Sequence, residues 1–443
     1  MAEMKRRYVI IGSGVAAVSA VEAIRSLDDG AEVIMVSNDP HSYYSRPGLA
    51  YYLTGEVEEA GLFPFREADF HRLKVRRLHA HVDAIDTAAH KVRLANGRAL
   101  DYDRLLAAVG SQAVLPDVPG IKLQGVVKLD HLEDARQILK QSQQARRAVV
   151  LGGGITALEI VEGLVARRVE VHYFLRGDRY WGNVLDETES KIIEQRLQHE
   201  GVHIHRRTEM LEVLGKNGRV AGIKTKDGRV VPAHLLAAAI GVKPRLELAQ
   251  RSGLKTGKGI QVDCHLQTSA VDVFAAGDAA EVIDAQGRSV MNTLWGPARQ
   301  QGYAAGLNMA GVSEQYHRSP AFNVTRLAGL TTTIIGTVGG GRDDDLAGIA
   351  RGDSETWRQL PDAIAAQKDF EVNRLRMLVG EQALVGGVVM GDQTLSQAIQ
   401  ALVTQQVDIR PVRDQLLNNQ ERLADVIAEF WLEWRKNGST PVA

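Results

Sequence analysis

Two short glycine clusters hold the residues best suited to chemistry. Gly12-x-Gly14-x-x-Ala17 and Gly152-x-Gly154-x-x-Ala157 each follow an apolar run and open a helical stretch, YVIIGSGVAA at 8–17 and AVVLGGGITA at 148–157. The first glycine of such a cluster permits a tight turn, and the second lets the backbone come up to a pyrophosphate. A small third residue, with Ala16 beside it in the first loop, lets helix and strand pack. The helix N-terminus behind the loop favours phosphate charge. One such loop is weak evidence, because glycine turns precede helices in many α/β proteins. Two, each set between a strand and a helix, point to two dinucleotide sites.

Residues that would read the sugars follow the next strand in each unit. Asn38 and Asp39 come after the first and are candidates for an adenosine ribose. After the second comes Leu175-Arg176-Gly177-Asp178-Arg179, with leucine where an acid would bind a 2′-hydroxyl and repel a 2′-phosphate. Arg176 and Arg179 beside that leucine favour NADPH, and NAD remains the alternative if both are solvated. The single cysteine, Cys264, rules out an intramolecular disulfide and an all-cysteine iron–sulfur site within one chain. It is expected to be structural, so thiol chemistry is not expected. His203 and His205 alternate on one strand face, with His199 upstream, and His79 and His81 are spaced alike. With no cysteine or clear carboxylate partner in view, no metal centre is expected.

The elements that must position these residues are duplicated. Each loop lies in a strand–helix–strand unit, whose second strands are predicted at Glu32–Ser37 and Glu170–Leu175. Asn96-Gly97-Arg98 and Asp227-Gly228-Arg229 are both hairpin turn signals. Each turn glycine stands thirteen residues before the glycine that closes a buried strand, Gly110 and Gly241. VDVFAAGDAAEV at 271–282 comes after the second unit has closed and is expected to return to the first. A helix follows from Pro297 to Met309. Beyond Gln315 short strand-like runs and amphipathic helices near 395–403 and 420–436 predict an α+β domain. The glycine-rich run Gly339 to Asp345 reads as a solvated turn. The predicted fold is therefore α/β: two interleaved, doubly wound, Rossmann-like nucleotide-binding domains with a C-terminal α+β domain. Boundaries are expected at 1–113 with 241–315, at 114–240, and at 316–443.

Composition excludes several classes. Lys and Arg total 53 against 54 for Asp and Glu, a net charge of −1, which argues against a nucleic-acid binder. No apolar run reaches the roughly 20 residues of a membrane span. A strand begins by Tyr8, leaving no room for a signal peptide, so a cytoplasmic protein is expected.

With AAGD near residue 277 returning to the first unit, the two loops resemble those of the pyridine nucleotide–disulfide oxidoreductase superfamily. Ala108-Val109-Gly110-Ser111 resembles its flavin-domain return motif, and Ile240-Gly241-Val242-Lys243-Pro244 the motif closing its nucleotide domain. NRLRMLVGEQALVGGVVMGDQ at 373–393 resembles its C-terminal interface domain. The resemblance implies FAD at the first site and NAD(P)H at the second, with Asp278 on the ribityl chain. It also adds Val82, Val109, Gly110 and Gly277 to the flavin contacts and Ile240 and Gly241 to the nucleotide contacts. Tyr44-Ser45-Arg46-Pro47-Gly48-Leu49 is similar to the YxRPxL stretch of rubredoxin and ferredoxin reductases and of nitrite reductase large subunits. It implies that Arg46 and Pro47 pass the FAD pyrophosphate. That stretch usually continues with Ser-Lys, and here Ala50-Tyr51 stands instead, making Tyr51 a candidate flavin neighbour.

Glu159 matches a glutamate often found near the nicotinamide. Trp295 opens a helix aimed at the flavin, where a helix N-terminus stabilises negative charge. The implied activity is hydride transfer from NAD(P)H to FAD, with electrons passed to a rubredoxin- or ferredoxin-like carrier. A membrane-surface quinone reductase is one alternative, suggested by the amphipathic segment 420–436. A non-enzymatic flavin- and nucleotide-binding sensor is another. A second copy of the chain is a further candidate partner.

Overall fold

A computed structural model describes residues 5–283, 289–338, 374–417 and 423–436. The run Gly339 to Asp345 lies outside the described residues.

Two five-stranded parallel sheets carry the two glycine loops. The first has the order Val273–Ala275, Arg104–Ala107, Arg7–Ile11, Glu32–Ser37, Val75–His79. The second has the order Val126–Val127, Leu235–Ala238, Arg147–Leu151, Glu170–Phe174, His203–His205. Strand for strand, the two orders correspond. In each the glycine-loop strand is central, with its return strand on one side and the second strand of its strand–helix–strand unit on the other. The central strands are buried over four of their five residues because both faces are covered, which is why they read as unbroken apolar runs. An antiparallel three-stranded meander accompanies each sheet, Val82–Asp86 to Ala99–Asp101 and Met210–Lys216 to Val230–Pro232.

The chain crosses between the two units through one antiparallel ribbon, in which Ser111–Ala113 pairs with Val242–Pro244. It then returns to the first sheet, where Val273–Ala275 lies beside Arg104–Ala107. The helix Trp295–Ala310 closes that unit by packing on Val15–Leu27. Gly302 and Gly306 make this crossing close: a Cβ at either would overlap the backbone of Ala16 or Ala20.

The C-terminal segment is a four-stranded antiparallel sheet in the order Phe322–Leu327, Leu330–Gly336, Leu384–Met390, Arg374–Val379. Helices Ser396–Thr404, Arg413–Leu417 and Leu423–Lys436 pack against it. The amphipathic stretch predicted at 420–436 has a local explanation. Ile427 is fully buried, and Phe430, Trp431 and Trp434 lie against the core of the same domain. The apolar stripe thus packs within its own domain, on the helices Ser396–Thr404 and Arg413–Leu417, which removes the main support for a bilayer-facing role. No described helix is long and apolar enough to cross a membrane.

Candidate functional site

The glycine loops make the tight turns that their spacing predicts. Gly12 has φ +119° and Gly152 φ +138°, backbone that favours glycine. A Cβ on Gly12 would overlap the carbonyl oxygen of Ala108, and one on Gly152 that of Ala239. Both glycines therefore serve the same close approach to the return strand. Gly14 and Gly154 cap the helices Val15–Leu27 and Ile155–Val165 without a side-chain hydrogen bond. The first amides of each helix are left for another acceptor. Ala17 and Ala157 are fully buried at the helix–strand contact, and Ala16 nearly so.

A cleft opens at the carboxyl ends of the first sheet. It brings together eight of the predicted residues: Gly14, Ala16, Arg46, Pro47, Gly110, Gly277, Asp278 and Trp295. Gly277 has φ +78°, and its N–H donates to Gln301 Oε1 at 2.8 Å. Asp278 accepts a 2.7 Å hydrogen bond from Ser111 Oγ, so the crossing ribbon and the returning segment meet over the cleft. Trp295 Nε1 is 3.4 Å from Tyr43 Oη at the start of the long helix. Arg46 reaches into the same space. Its Nη2 lies 3.9 Å from Asp39 Oδ2 and 3.5 Å from His131 Nδ1. Burial opposes its charge, but Tyr44, Asp130 and Asp39 outweigh that and hold it firmly protonated. Its Nε is buried with no hydrogen-bond partner among the described residues. A buried donor without an acceptor is costly unless a ligand supplies one.

Six predicted residues of the first unit do not line the cleft. Gly12 and Ala17 lie behind it as packing residues, and Val82 is buried in the first core. Val109 is tied through its carbonyl to Arg245 Nη1 at 3.3 Å. Asp39 is engaged by Tyr44 Oη at 3.2 Å and by the backbone of His41. Asn38 is exposed at the strand end, beside Ser37, whose hydroxyl meets that of Ser13 at 3.0 Å. Tyr43 and Asp130 line the cleft and were not singled out as site residues from the sequence. Tyr43 lay within reach, next to the Tyr44–Leu49 stretch. Asp130 had no local signal, since it arrives from the second unit.

Around the second loop, Leu175 is buried where an acid would otherwise stand. Arg179 is spent locally, with Nη2 on Gly182 O at 2.9 Å and Nη1 on Asp178 Oδ1 at 3.4 Å. Arg176 is exposed. Arg207, missed in the sequence, joins it: its N–H donates to Gly177 O at 2.9 Å, setting a second exposed cation beside that loop. Ile240 is 45% exposed next to Gly241, which has φ +117°, an apolar face left open beside the loop.

Glu159 is buried on the helix Ile155–Val165, and its charge acts on Tyr51 of the helix Gly48–Thr54. Burial first, then Arg326, Glu159 and Glu56, set the Tyr51 phenol, with the net effect that it stays neutral. The guanidinium of Arg326 stands 5.9 Å over the Tyr51 ring and is held by both carboxylate oxygens of Glu56. A cation is thus present beside position 51, supplied by the C-terminal sheet.

Two dinucleotide loops, a cleft at the strand ends and a returning Gly277-Asp278 segment define an FAD-dependent NAD(P)H oxidoreductase. The chain belongs to the pyridine nucleotide-disulphide oxidoreductase family, whose sequence profile matches residues 6–302. It is 27% identical over 429 residues to subunit epsilon of the NADH-dependent phenylglyoxylate dehydrogenase of Aromatoleum evansii, covering 96% of this chain and 98% of that one. It is 30% identical over 333 residues to rhodocoxin reductase of Rhodococcus erythropolis, covering 73% and 78%. A ferredoxin reductase of Rhodopseudomonas palustris has the same fold. Its TM-score is 0.81 at 21% identity, over 96% of this chain and all of the other.

Proposed function

We propose that this chain carries reducing equivalents from NAD(P)H, through FAD, to a one-electron carrier protein of the rubredoxin or ferredoxin kind. The observation that carries the reading is a complete two-nucleotide framework whose cleft has no thiol. Cys264 lies outside the cleft lining, in a turn whose carbonyl accepts from Tyr316 N at 2.7 Å. The likeness to rhodocoxin reductase supports a protein acceptor. We place the domain boundaries at 113/114, 240/241 and 315/316, and the protein in the cytoplasm, where its NAD(P)H is found.

FAD, when bound, supplies the hydride acceptor and the ability to release electrons singly. The residues do the positioning. The Gly14 amide region and Arg46 would hold the pyrophosphate, which could supply the acceptor that Arg46 Nε lacks. Asp278, oriented by Ser111, holds the ribityl hydroxyls. The first amides of the helix Trp295–Ala310, whose Trp295 lines the cleft, would favour negative charge on the bound flavin. Gly154, Arg176 and Ile240 orient the nicotinamide nucleotide. Glu159 and Tyr51, on two helices that pack together, are the candidate residues beside the reacting rings, and Arg326 keeps a positive charge next to Tyr51. We infer that Arg176 gives a preference for NADPH, with NADH as the alternative.

A second reading follows from the near-complete alignment with a dehydrogenase subunit: the acceptor is a fixed partner in a larger enzyme. One experiment separates the two. The purified holoprotein is mixed with NADPH or NADH and a panel of acceptors: rubredoxin, ferredoxin, a quinone and ferricyanide. Rapid turnover with a carrier protein supports the first reading. Turnover with ferricyanide alone supports the second, and no turnover with any acceptor would leave a sensor.

A further inference from the structure

The second sheet ends on an edge pair whose outer face carries chemistry that the nucleotide sites do not use. Glu170–Phe174 and His203–His205 run parallel, with His172 opposite His203 and Phe174 opposite His205. A period of two sets Glu170 and His172 on the same face as His203 and His205. His203 and His205 stood out in the sequence, but His172 and the carboxylate of Glu170 did not, because only the strand register brings them across.

We propose that Glu170, His172 and His203 form a binding site for a divalent transition-metal ion of the zinc class. One ligand atom from each of the three falls within 4.8 Å of the others. Glu170 Oε1 is 3.2 Å from His172 Nε2 and 3.7 Å from His203 Nε2. Ligand atoms of a tetrahedral zinc ion with bonds near 2.0–2.1 Å stand about 3.3 Å apart. The His172 and His203 rings are stacked, with centroids 4.8 Å apart and planes 23° from parallel, so closing on an ion requires the His203 ring to turn out of the stack, and its 55% exposed side chain has room to do so. The exposed side also leaves a coordination position open to water.

The surroundings orient the set. Arg147 Nη2 holds Glu170 Oε2 at 3.0 Å and leaves Oε1 facing the histidines. His172 Nδ1 lies 2.9 Å from His205 Nε2. Without an ion, His205 Nε2–H donates to His172 Nδ1, and His172 Nε2–H donates to Glu170. With an ion on His172 Nε2, the pair reverses: both rings change tautomer, so that His172 carries its proton on Nδ1 and donates to His205 Nε2, while the His205 proton moves from Nε2 to Nδ1. No proton is gained or lost. A ligand histidine held through its second nitrogen in this way is the usual support of a metal site. Two imidazoles and one carboxylate suit zinc, nickel or cobalt, whereas calcium and magnesium take all-oxygen sets. Among the described residues, no other group of histidine, cysteine, aspartate or glutamate converges in this manner.

The test uses the untagged full-length holoprotein and Zn²⁺ alone, by calorimetric titration and by melting temperature. Wild type is expected to bind one equivalent with a Kd of about 1 μM or tighter and to melt higher with zinc. His203→Ala and Glu170→Gln should each weaken binding by at least about tenfold and lose the thermal gain. His199→Ala, a histidine outside the trio, should bind as wild type does. His203 is exposed, so its variant tests the site without disturbing the core. No saturable binding below about 100 μM, or equal binding by wild type and both trio variants, would overturn the proposal.

Discussion

Gly12 and Gly14 stand two residues apart and should fail in different ways. Gly12 has left-handed φ, and any Cβ would strike the Ala108 carbonyl. Gly12→Ala is expected to destabilise the fold by about 2–4 kcal/mol, read as a lower denaturation midpoint. At Gly14 the backbone is ordinary and extended, and the nearest group to a Cβ is Arg46 Nη1 at 3.7 Å. Gly14→Val should therefore fold, melt close to the apoprotein and purify without flavin colour. A yellow Gly14→Val protein would show that the pyrophosphate lies elsewhere. At the second loop, Arg176→Ala should weaken NADPH by about 1.5–3 kcal/mol, the range for a hydrogen bond to a charged group, and leave NADH nearly unchanged. Equal losses for the two nucleotides, measured by flavin reduction, would remove Arg176 from the specificity role. The glycines were legible because their constraint is local. Asp130, Arg207 and Arg326 were not, because each reaches its place through tertiary packing.

The helix Ile155–Val165 shows the same boundary between local and tertiary signals. Its start is written in Gly152, Gly154 and Ala157, but its docking is not. Gly163 lies so close to Leu53 that a Cβ would be 2.8 Å from the leucine Cβ, which fixes this helix against Gly48–Thr54. On the same helix Glu162 accepts from Gly329 N at 3.2 Å and faces Arg326 and Glu56. Burial, only partly offset by Arg326, pushes its pKa up to about 7 from an ordinary 4.5. A carboxyl that holds its proton more tightly when folded costs stability as pH rises, here between about 4.5 and 7, and the loss persists above. Glu162→Gln keeps the acceptor for Gly329 and removes the ionisation. Its melting temperature should match wild type near pH 4.5 and exceed it at pH 8. A constant difference across that window would place the charge elsewhere. At this scale the long buried strands were readable, and the two-residue strand Val126–Val127 was not. Such a short strand has no periodicity of its own and is defined only by its pairing with Leu235–Ala238.

Across the whole molecule one apolar core joins the parts that the sequence separates. It runs from Leu49 and Leu53 through Leu158 and Val161 to Leu330, Ile334 and Val388. The domain pattern was legible from the repeat, but this continuity was not, because each apolar residue reads equally well as the interior of its own unit. At the same scale, docking of an acidic carrier should be electrostatic. Turnover with such a carrier is expected to fall as salt rises, since screening shortens the Debye length to about 8 Å at physiological ionic strength. Turnover with a small neutral acceptor should stay level, and a carrier rate indifferent to salt would point to apolar docking.

The crossing through Ser111–Ala113 and Val242–Pro244 also has a consequence for how the chain is made. During synthesis the first sheet emerges four strands long and then waits. Its fifth strand, Val273–Ala275, and the helix that covers Val15–Leu27 leave the ribosome only after the entire second sheet has been delivered. The second sheet has all five of its strands between residues 126 and 238 and can close as soon as they are free. The second sheet can therefore be completed before the first. The amino-terminal segment, with its unbroken apolar strands, spends the longest time incomplete, and it is there that a nascent chain most needs chaperone protection.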